Sequence, residues 1–265
     1  MVRVFDLASK VEMGTVLDGE GSINALAPAQ NHVLSASANG SISIWRVKDW
    51  AKLHTLKGPK SGVLTLSLHP SQRMVLAGSK SGKLTLWNLV KGRVAYTTRM
   101  GQTVEEVQWA PCGLFYAVRM LKEVVISAVG ENAKHEGEAI RHDAQLTSCT
   151  FAGCSQVLLA ADIYGLVLIC DTTTSKVLYL QAEDSRITAL GYATVGEAGV
   201  LVTLGTGGLV KVWNVTSAVQ LVRAQGYETG QRIENREDLL VFSHNLDCRC
   251  SALAVTTLSP KEQTS

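Results

Sequence analysis

At 265 residues the chain is long enough for one repeat domain and too short for two large ones. Hydrophobic residues make up 46% and charged residues 18%, a core-rich composition that argues against disorder. A formal charge of +2 gives no argument for nucleic acid by itself, and no apolar run reaches the length that spans a bilayer. The start, MVRVFDLASK, lacks the charged-then-apolar order of a secretory signal. Cys112, Cys149, Cys154, Cys170, Cys248 and Cys250 are scattered, mostly in strand-like runs. That pattern suits buried thiols in a reducing compartment, cytosolic or nuclear, better than a disulfide framework.

Taken in order, the predicted elements are strands. Residues 2–7 read as a third strand without a first and second before it. GSINALA, NHVLSAS, GSISIWRV and AKLHTL then form a set of four, with Asn39-Gly40 as a hairpin turn. GVLTLSLHP, RMVLAGS, KLTLWNL and RVAYTT form the next, with Ser81-Gly82 as its turn and His69-Pro70 ending its inner strand. VEEVQWAP, LFYAVRM and EVVISAV follow, then a loose segment ENAKHEGEAI. QLTSCTF, QVLLAAD, GLVLICD and KVLYLQ form another four. RITALGY, AGVLVTL and GLVKVWNV come last, followed by polar AQGYETGQRIENREDLL, predicted as a long loop around a frayed strand. CSALAVTTL reads as one more inner strand.

Trp45, Trp87 and Trp213 close runs of one kind, SISIWRV, KLTLWNL and LVKVWNV. The first two are 42 residues apart, and the third lies three such steps further on. Phe5, Ser127 and Cys170 fill the intervening positions at spacings of 40 to 43. A period of that length, built from strands with a terminal Trp, predicts an all-β, WD-type β-propeller. The count is two strands, five blades and one strand, so a seven-bladed ring stays incomplete in this chain. The expectation is one propeller over residues 1–258, with partial first and last blades, and a short tail over 259–265. The unfilled ends favour a natural start upstream of Met1 over degenerate end blades, because an open ring exposes strand edges.

Few residue groups suggest chemistry. A WD blade is usually pinned by an Asp before its third strand, bonded to a His, with Ser/Thr and Trp. Asn39, Ser81 and Gly207 take the Asp position here, so most of that network is expected to be lost, leaving apolar packing to carry the blades. Gly205-Thr206-Gly207-Gly208 lacks the following Lys-Ser/Thr and helix of a phosphate loop and reads as a hairpin turn. Cys248, Cys250 and His244 lack the second pair a zinc site needs. His142, Asp143 and Ser148 are too close in sequence for a triad, and Glu105 and Glu106 are expected on opposite faces of a strand. No catalytic, cofactor or metal site is predicted, and no small-molecule substrate. The candidate surface is a basic rim: Lys57 and Lys60, Arg99 and Arg141 on inter-blade loops, Arg186 opening an inner strand, and Lys80 in a turn on the same face. Such cations contact RNA phosphates or an acidic protein segment, although Glu183, Asp184 and Asp143 dilute the patch. Trp50, in KDWAKL, adds a candidate partner anchor, with packing against a neighbouring strand as the plain alternative.

The stretch GSINALAPAQNHVLSASANGSISIWRVKDWAKLHTLKG, then GVLTLSLHPSQRMVLAGSKSGKLTLWNLVKGR and VEEVQWAPCG, resembles the PAK-interacting WD-repeat protein family. LSLHPS, LWNLVKGR and VQWAP are the most specific segments, and the likeness continues more weakly to about residue 258. The resemblance implies a non-enzymatic nucleolar scaffold for assembling the large ribosomal subunit, docking assembly factors and pre-rRNA. It also implies, as an alternative, an adaptor that binds and restrains a PAK-type kinase. The family tends to carry a Lys-rich C-terminal tail, whereas this chain ends SPKEQTS.

Overall fold

The computed structural model describes residues 2–6, 8–16, 21–129, 138–153, 156–233 and 236–246. The chain divides into two compact units, Met1–Trp109 with Tyr116–Met120, and Ala110–Phe115 with Leu121–Ser265.

The first unit opens with β1 (Val2–Asp6) and β2 (Val11–Val16), a two-stranded antiparallel sheet. Two four-stranded sheets follow. One holds β3 (Ile23–Pro28), β4 (His32–Ser37), β5 (Ser41–Arg46) and β6 (Lys52–Lys57) in sequence order. The other holds β7 (Val63–Leu68), β8 (Met74–Ser79), β9 (Lys83–Asn88) and β10 (Arg93–Arg99). β11 (Glu106–Trp109) and β12 (Phe115–Arg119) pair antiparallel.

The 42-residue period of the sequence becomes a physical repeat here. Gln72 Oε1 accepts from the Gln30 N–H, Thr65 Oγ1 from the Val107 N–H and Ser67 Oγ from the Trp109 N–H, each pair 42 residues apart. Equivalent points of consecutive blades are thus stitched by side-chain oxygens on backbone N–H groups that strand pairing leaves free. Between the two sheets Leu34, Ile42, Leu56, Val75 and Trp87 close into one apolar core, and Leu84, Val107, Trp109 and Tyr116 form another.

The second unit begins with β13 (Glu123–Ala128) and β14 (Glu138–Arg141), which pair antiparallel, so part of the loose segment is a strand. β15 (Leu146–Phe151), β16 (Val157–Asp162), β17 (Leu166–Asp171) and β18 (Val177–Gln181) form a four-stranded sheet. β16 and β17 are buried along their whole length, as expected of strands covered on both faces. β19 (Ile187–Val195), β20 (Ala198–Gly205) and β21 (Leu209–Asn214) begin the last sheet.

Here the structure departs from the predicted loop. The chain turns into α1 (Thr216–Arg223), then runs along β18, enters the short α2 (Arg236–Leu239) and returns as β22 (Leu240–Asn245) beside β21. α1 forms because Ala218, Val219 and Val222 share one face, which packs with Val215, Trp213 and Leu201. The segment between the helices shields the edge of β18. Gln231 accepts from the Tyr179 N–H, Tyr179 accepts from the Ile233 N–H, and the Tyr227 hydroxyl donates to the Lys176 carbonyl. The inner strand predicted in CSALAVTTL lies outside the described residues.

Candidate functional site

The polar network around the tryptophans is more extensive than the turn residues suggest. Register places residues 35, 77, 160 and 203 at one point of the second strands β4, β8, β16 and β20, and Trp45, Trp87, Cys170 and Trp213 at one point of the third strands β5, β9, β17 and β21. Trp45 Nε1 donates to Ser35 Oγ at 2.9 Å, and Trp213 Nε1 to Thr203 Oγ1 at 3.1 Å. Residue 77 is Ala, and the buried Trp87 indole N–H has no acceptor among the described residues. In the last sheet Thr203 donates to Glu183 Oε1 at 2.8 Å, and Glu183 pairs with Lys211 at 2.9 Å. A Glu–Lys pair therefore does the work expected of an Asp–His pair. In the sheet before it, His142 Nε2 lies 3.0 Å from Asp162 Oδ2, while Asp162 Oδ1 accepts from the Tyr164 and Leu166 N–H groups. The expected loss is thus uneven. It holds for Trp87 in β7–β10, while β3–β6 keeps the Trp45–Ser35 bond. β15–β18 keeps an Asp–His pair although Cys170 stands at its Trp position, and β19–β22 keeps a continuous chain from Trp213 to Lys211.

The groups weighed for chemistry resolve into structure. His142 is committed to Asp162 rather than to Asp143 or Ser148, and Ser148 Oγ accepts from the Leu190 N–H. Glu105 and Glu106 converge instead of diverging, because Glu105 precedes β11 and escapes strand alternation. Both bind the buried Arg119, Glu106 at 2.9 Å. Residues 205–208 form a hairpin turn closed by the Gly208 N–H on the Gly205 carbonyl. Burial pushes the Cys170 thiol far up, which keeps it protonated and unreactive. Cys248 and Cys250 lie outside the described residues. Among the described residues no group of three His, Cys, Asp or Glu side chains is placed to hold a metal.

The predicted rim splits by position. In the first unit one end of the sheets carries the second-to-third strand turns and the links between sheets. Lys57, Lys60, Lys80 and Arg99 all lie at that end and are exposed. Backbone bonds fix the arrangement: the Gly58 N–H donates to the Gly40 carbonyl, and the Met100 N–H to the Gly82 carbonyl. Ser61 and Ser81 hydroxyls meet at 2.8 Å, and Thr103 Oγ1 donates to the Lys80 carbonyl at 2.9 Å. Trp50 lies elsewhere. It sits at φ +55° in the β5–β6 turn, at the opposite end of the same sheet, half-buried with its ring over Gly14 of β2. Its surroundings are those of the packing alternative.

In the second unit Arg141 ends β14, exposed, with Nε 3.4 Å from Glu123. Arg186 is exposed just before β19, three residues after the buried Glu183. A cavity of about 580 Å³ opens beside His142 and Asp162, lined also by Leu121, Lys122, Tyr164 and Arg232. Sequence reasoning missed it, because its walls come from five separate segments of the chain.

Residues 12–46 and 50–88 match the family described as WD domain, G-beta repeat. The p21-activated protein kinase-interacting protein 1-like protein of Danio rerio is 31% identical over 216 residues, 81% of this chain and 58% of its own length. That of Xenopus laevis is 30% identical over 216 residues, 81% of this chain and 59% of its own length. The chain belongs to the PAK-interacting WD-repeat protein family. It spans somewhat under three fifths of the length of those two relatives. Another member-like match is Protein MAK11 of Saccharomyces cerevisiae, 35% identical over 150 residues, 49% of this chain and 36% of MAK11. Among solved structures, the β-propeller domain of Cps50 (Swd1) from Myceliophteria thermophila superposes with a TM-score of 0.63. It is 16% identical and covers 74% of this chain and 66% of its own, a likeness of fold alone. The PAK-interacting WD-repeat fold presents turns and short loops at its sheet ends, the kind of rigid platform that binds partners.

Proposed function

We propose that this protein is a non-enzymatic scaffold in nucleolar assembly of the large ribosomal subunit, docking assembly factors and pre-rRNA. The observation that carries the reading is the gathering of Lys57, Lys60, Lys80 and Arg99 at one end of the first unit, on backbone that is held in place. Family membership supplies the biological setting, through the resemblance that ties this family to the large subunit. Residues 1–258 are taken as the propeller part of the scaffold and 259–265 as a tail. Arg141 and Arg186 are exposed at sheet ends of the second unit and are not part of this gathering.

The second reading is an adaptor that binds a PAK-type kinase and restrains it. What favours it is that relatives are named for kinase binding, including Shk1 kinase-binding protein 15 of Schizosaccharomyces pombe, 25% identical over 80% of this chain. The two readings separate in one experiment. Tagged protein is sedimented from lysate through a sucrose gradient, and RNA from its fractions is sequenced. The scaffold co-migrates with large-subunit precursors and is released by salt. Sedimentation as a small, RNA-free species that carries a kinase would overturn it.

A further inference from the structure

We infer that the linking end of the first unit binds the phosphodiester backbone of structured RNA, without reading its sequence, a step that rests on the scaffold reading above. The near-neutral total charge conceals a strong segregation. Residues 21–120 contain twelve Lys and Arg against three Asp and Glu, a net +9. Residues 121–265 contain eleven against sixteen, a net −5. The three acids of the first stretch are already engaged. Asp49 pairs with Arg46 at 2.6 Å, and Glu105 and Glu106 both bind Arg119. Of the remaining cations, Lys57, Lys60, Lys80 and Arg99 are exposed at the linking end and contribute a positive field that draws in polyanions.

At the linking end the surplus comprises Lys57, Lys60, Lys80, Lys83 and Arg99, while Lys48, Lys52, Arg73, Lys91 and Arg93 lie at the opposite end. Lys83 opens β9 and stands directly opposite Arg99 of β10. Like charges directly opposite across a strand pair destabilise it. The acids described at this end, Glu105 and Glu106, bind Arg119, and a bound polyanion would relieve the facing cations. The backbone beneath is rigid. A Cβ on Gly40, at φ +89°, would stand 2.1 Å from the Pro59 carbonyl oxygen, and one on Gly82, at φ +73°, 2.5 Å from that of Gln102. The links that carry Lys60 and follow Arg99 therefore rest on turns whose glycines leave no space to spare. Cations held in this way lose little freedom when they bind.

The same end favours phosphate over protein. None of its described residues is an exposed large apolar side chain, so it lacks the anchor around which a protein interface forms. It also lacks an aromatic platform for unstacked bases. What remains is point charge and short polar groups, Ser61, Ser81 and Thr103, which suit backbone oxygens. Exposed Val47 and Val90 sit at the opposite end, as does half-buried Trp50.

Fluorescence anisotropy of the purified full chain with a labelled hairpin RNA of about twenty base pairs tests this. With about five phosphate contacts, affinity falls roughly 500-fold from about 50 to about 200 mM salt. Lys83→Glu weakens binding by about tenfold or more, and its melting temperature stays or rises, because a repelling pair becomes an attracting one. Lys57→Glu with Lys80→Glu removes most of the remainder, while Arg141→Glu with Arg186→Glu stays within about twofold of the parent. Salt-insensitive binding, equal loss in the Arg141 and Arg186 variant, or displacement of the hairpin by polyglutamate at equal charge concentration overturns the inference. If purified protein ignores the hairpin yet sediments with pre-ribosomes, this site fails and the scaffold stands. If it binds the hairpin but sediments alone, the scaffold fails and the site stands.

Discussion

The sheets β7–β10 and β19–β22 hold a tryptophan at the same point and surround it differently. Trp87 and Trp213 are 6% and 2% exposed, so both are taken out of water almost completely. Trp87 faces Ala77 and its indole N–H has no acceptor among the described residues, whereas Trp213 heads a chain through Thr203 and Glu183 to Lys211. An unmet buried donor costs about 1–3 kcal/mol, and a sheet that tolerates it must be held by apolar contact. Apolar packing therefore builds the blade, and the polar network pins individual blades. The two sheets also reach the network by unlike chemistry, because the ion pair of β19–β22 replaces the expected Asp and His with Glu183 and Lys211.

The comparison can be broken most forcefully at the ion pair. Lys211→Met leaves Glu183, 1% exposed, as an uncompensated buried charge, and urea denaturation should show a loss of about 3 kcal/mol or more. The double variant Lys211→Met with Glu183→Gln should recover much of that loss. A single-variant cost below about 1 kcal/mol would mean that the pair pins nothing.

Replacing each Trp by Phe sharpens the same contrast. Both variants lose packing, but Trp213→Phe also removes the hydrogen bond that Thr203 accepts, so it should cost about 1 kcal/mol more than Trp87→Phe. Ala77→Ser should act in the opposite direction. It offers Trp87 the acceptor that Ser35 gives Trp45, and should stabilise by about 0.5–1 kcal/mol. Equal costs for the two Phe variants, or a destabilised Ala77→Ser, would show that the indole N–H groups do not distinguish these sheets.

The smallest effect lies in alkali. Burial first, then the nearby Asp171 and Cys170, pushes the Tyr227 phenol from 10.0 up to about 12. The folded value lies above the unfolded one, so this stabilisation is whole below about pH 10 and is lost as pH rises toward about 12. Melting curves taken at about pH 9 and about pH 11 should show the fall. Tyr227→Phe should flatten it, although Tyr96 and Tyr179, also raised first by burial, keep part of the slope.

The sequence disclosed what lies within one strand or one period. The tryptophan spacing, the alternation of SISIWRV and the Asn39-Gly40 turn were enough for four-stranded sheets and a propeller, because each is a local pattern. Partners chosen across strands were hidden. Nothing near Trp213 points to Glu183, thirty residues earlier, and Asp162 takes its role two residues before the turn position where an Asp was sought. The apolar spacing of α1 was visible in TSAVQLVR, but the polar run behind it drew the reading toward a loop. At the proposed binding surface the loop cations were legible one by one. Their division between two units was not, nor was the facing of Lys83 and Arg99, which depends on strand register.

The most direct test of the scaffold account is ultraviolet crosslinking in living cells, with the attached RNA sequenced and the crosslinked peptides of this chain mapped by mass spectrometry. The account predicts large-subunit precursor RNA joined to residues 57–62, 80–83 and 99–103. Recovery of the protein without precursor RNA, in a complex with a kinase, would contradict it.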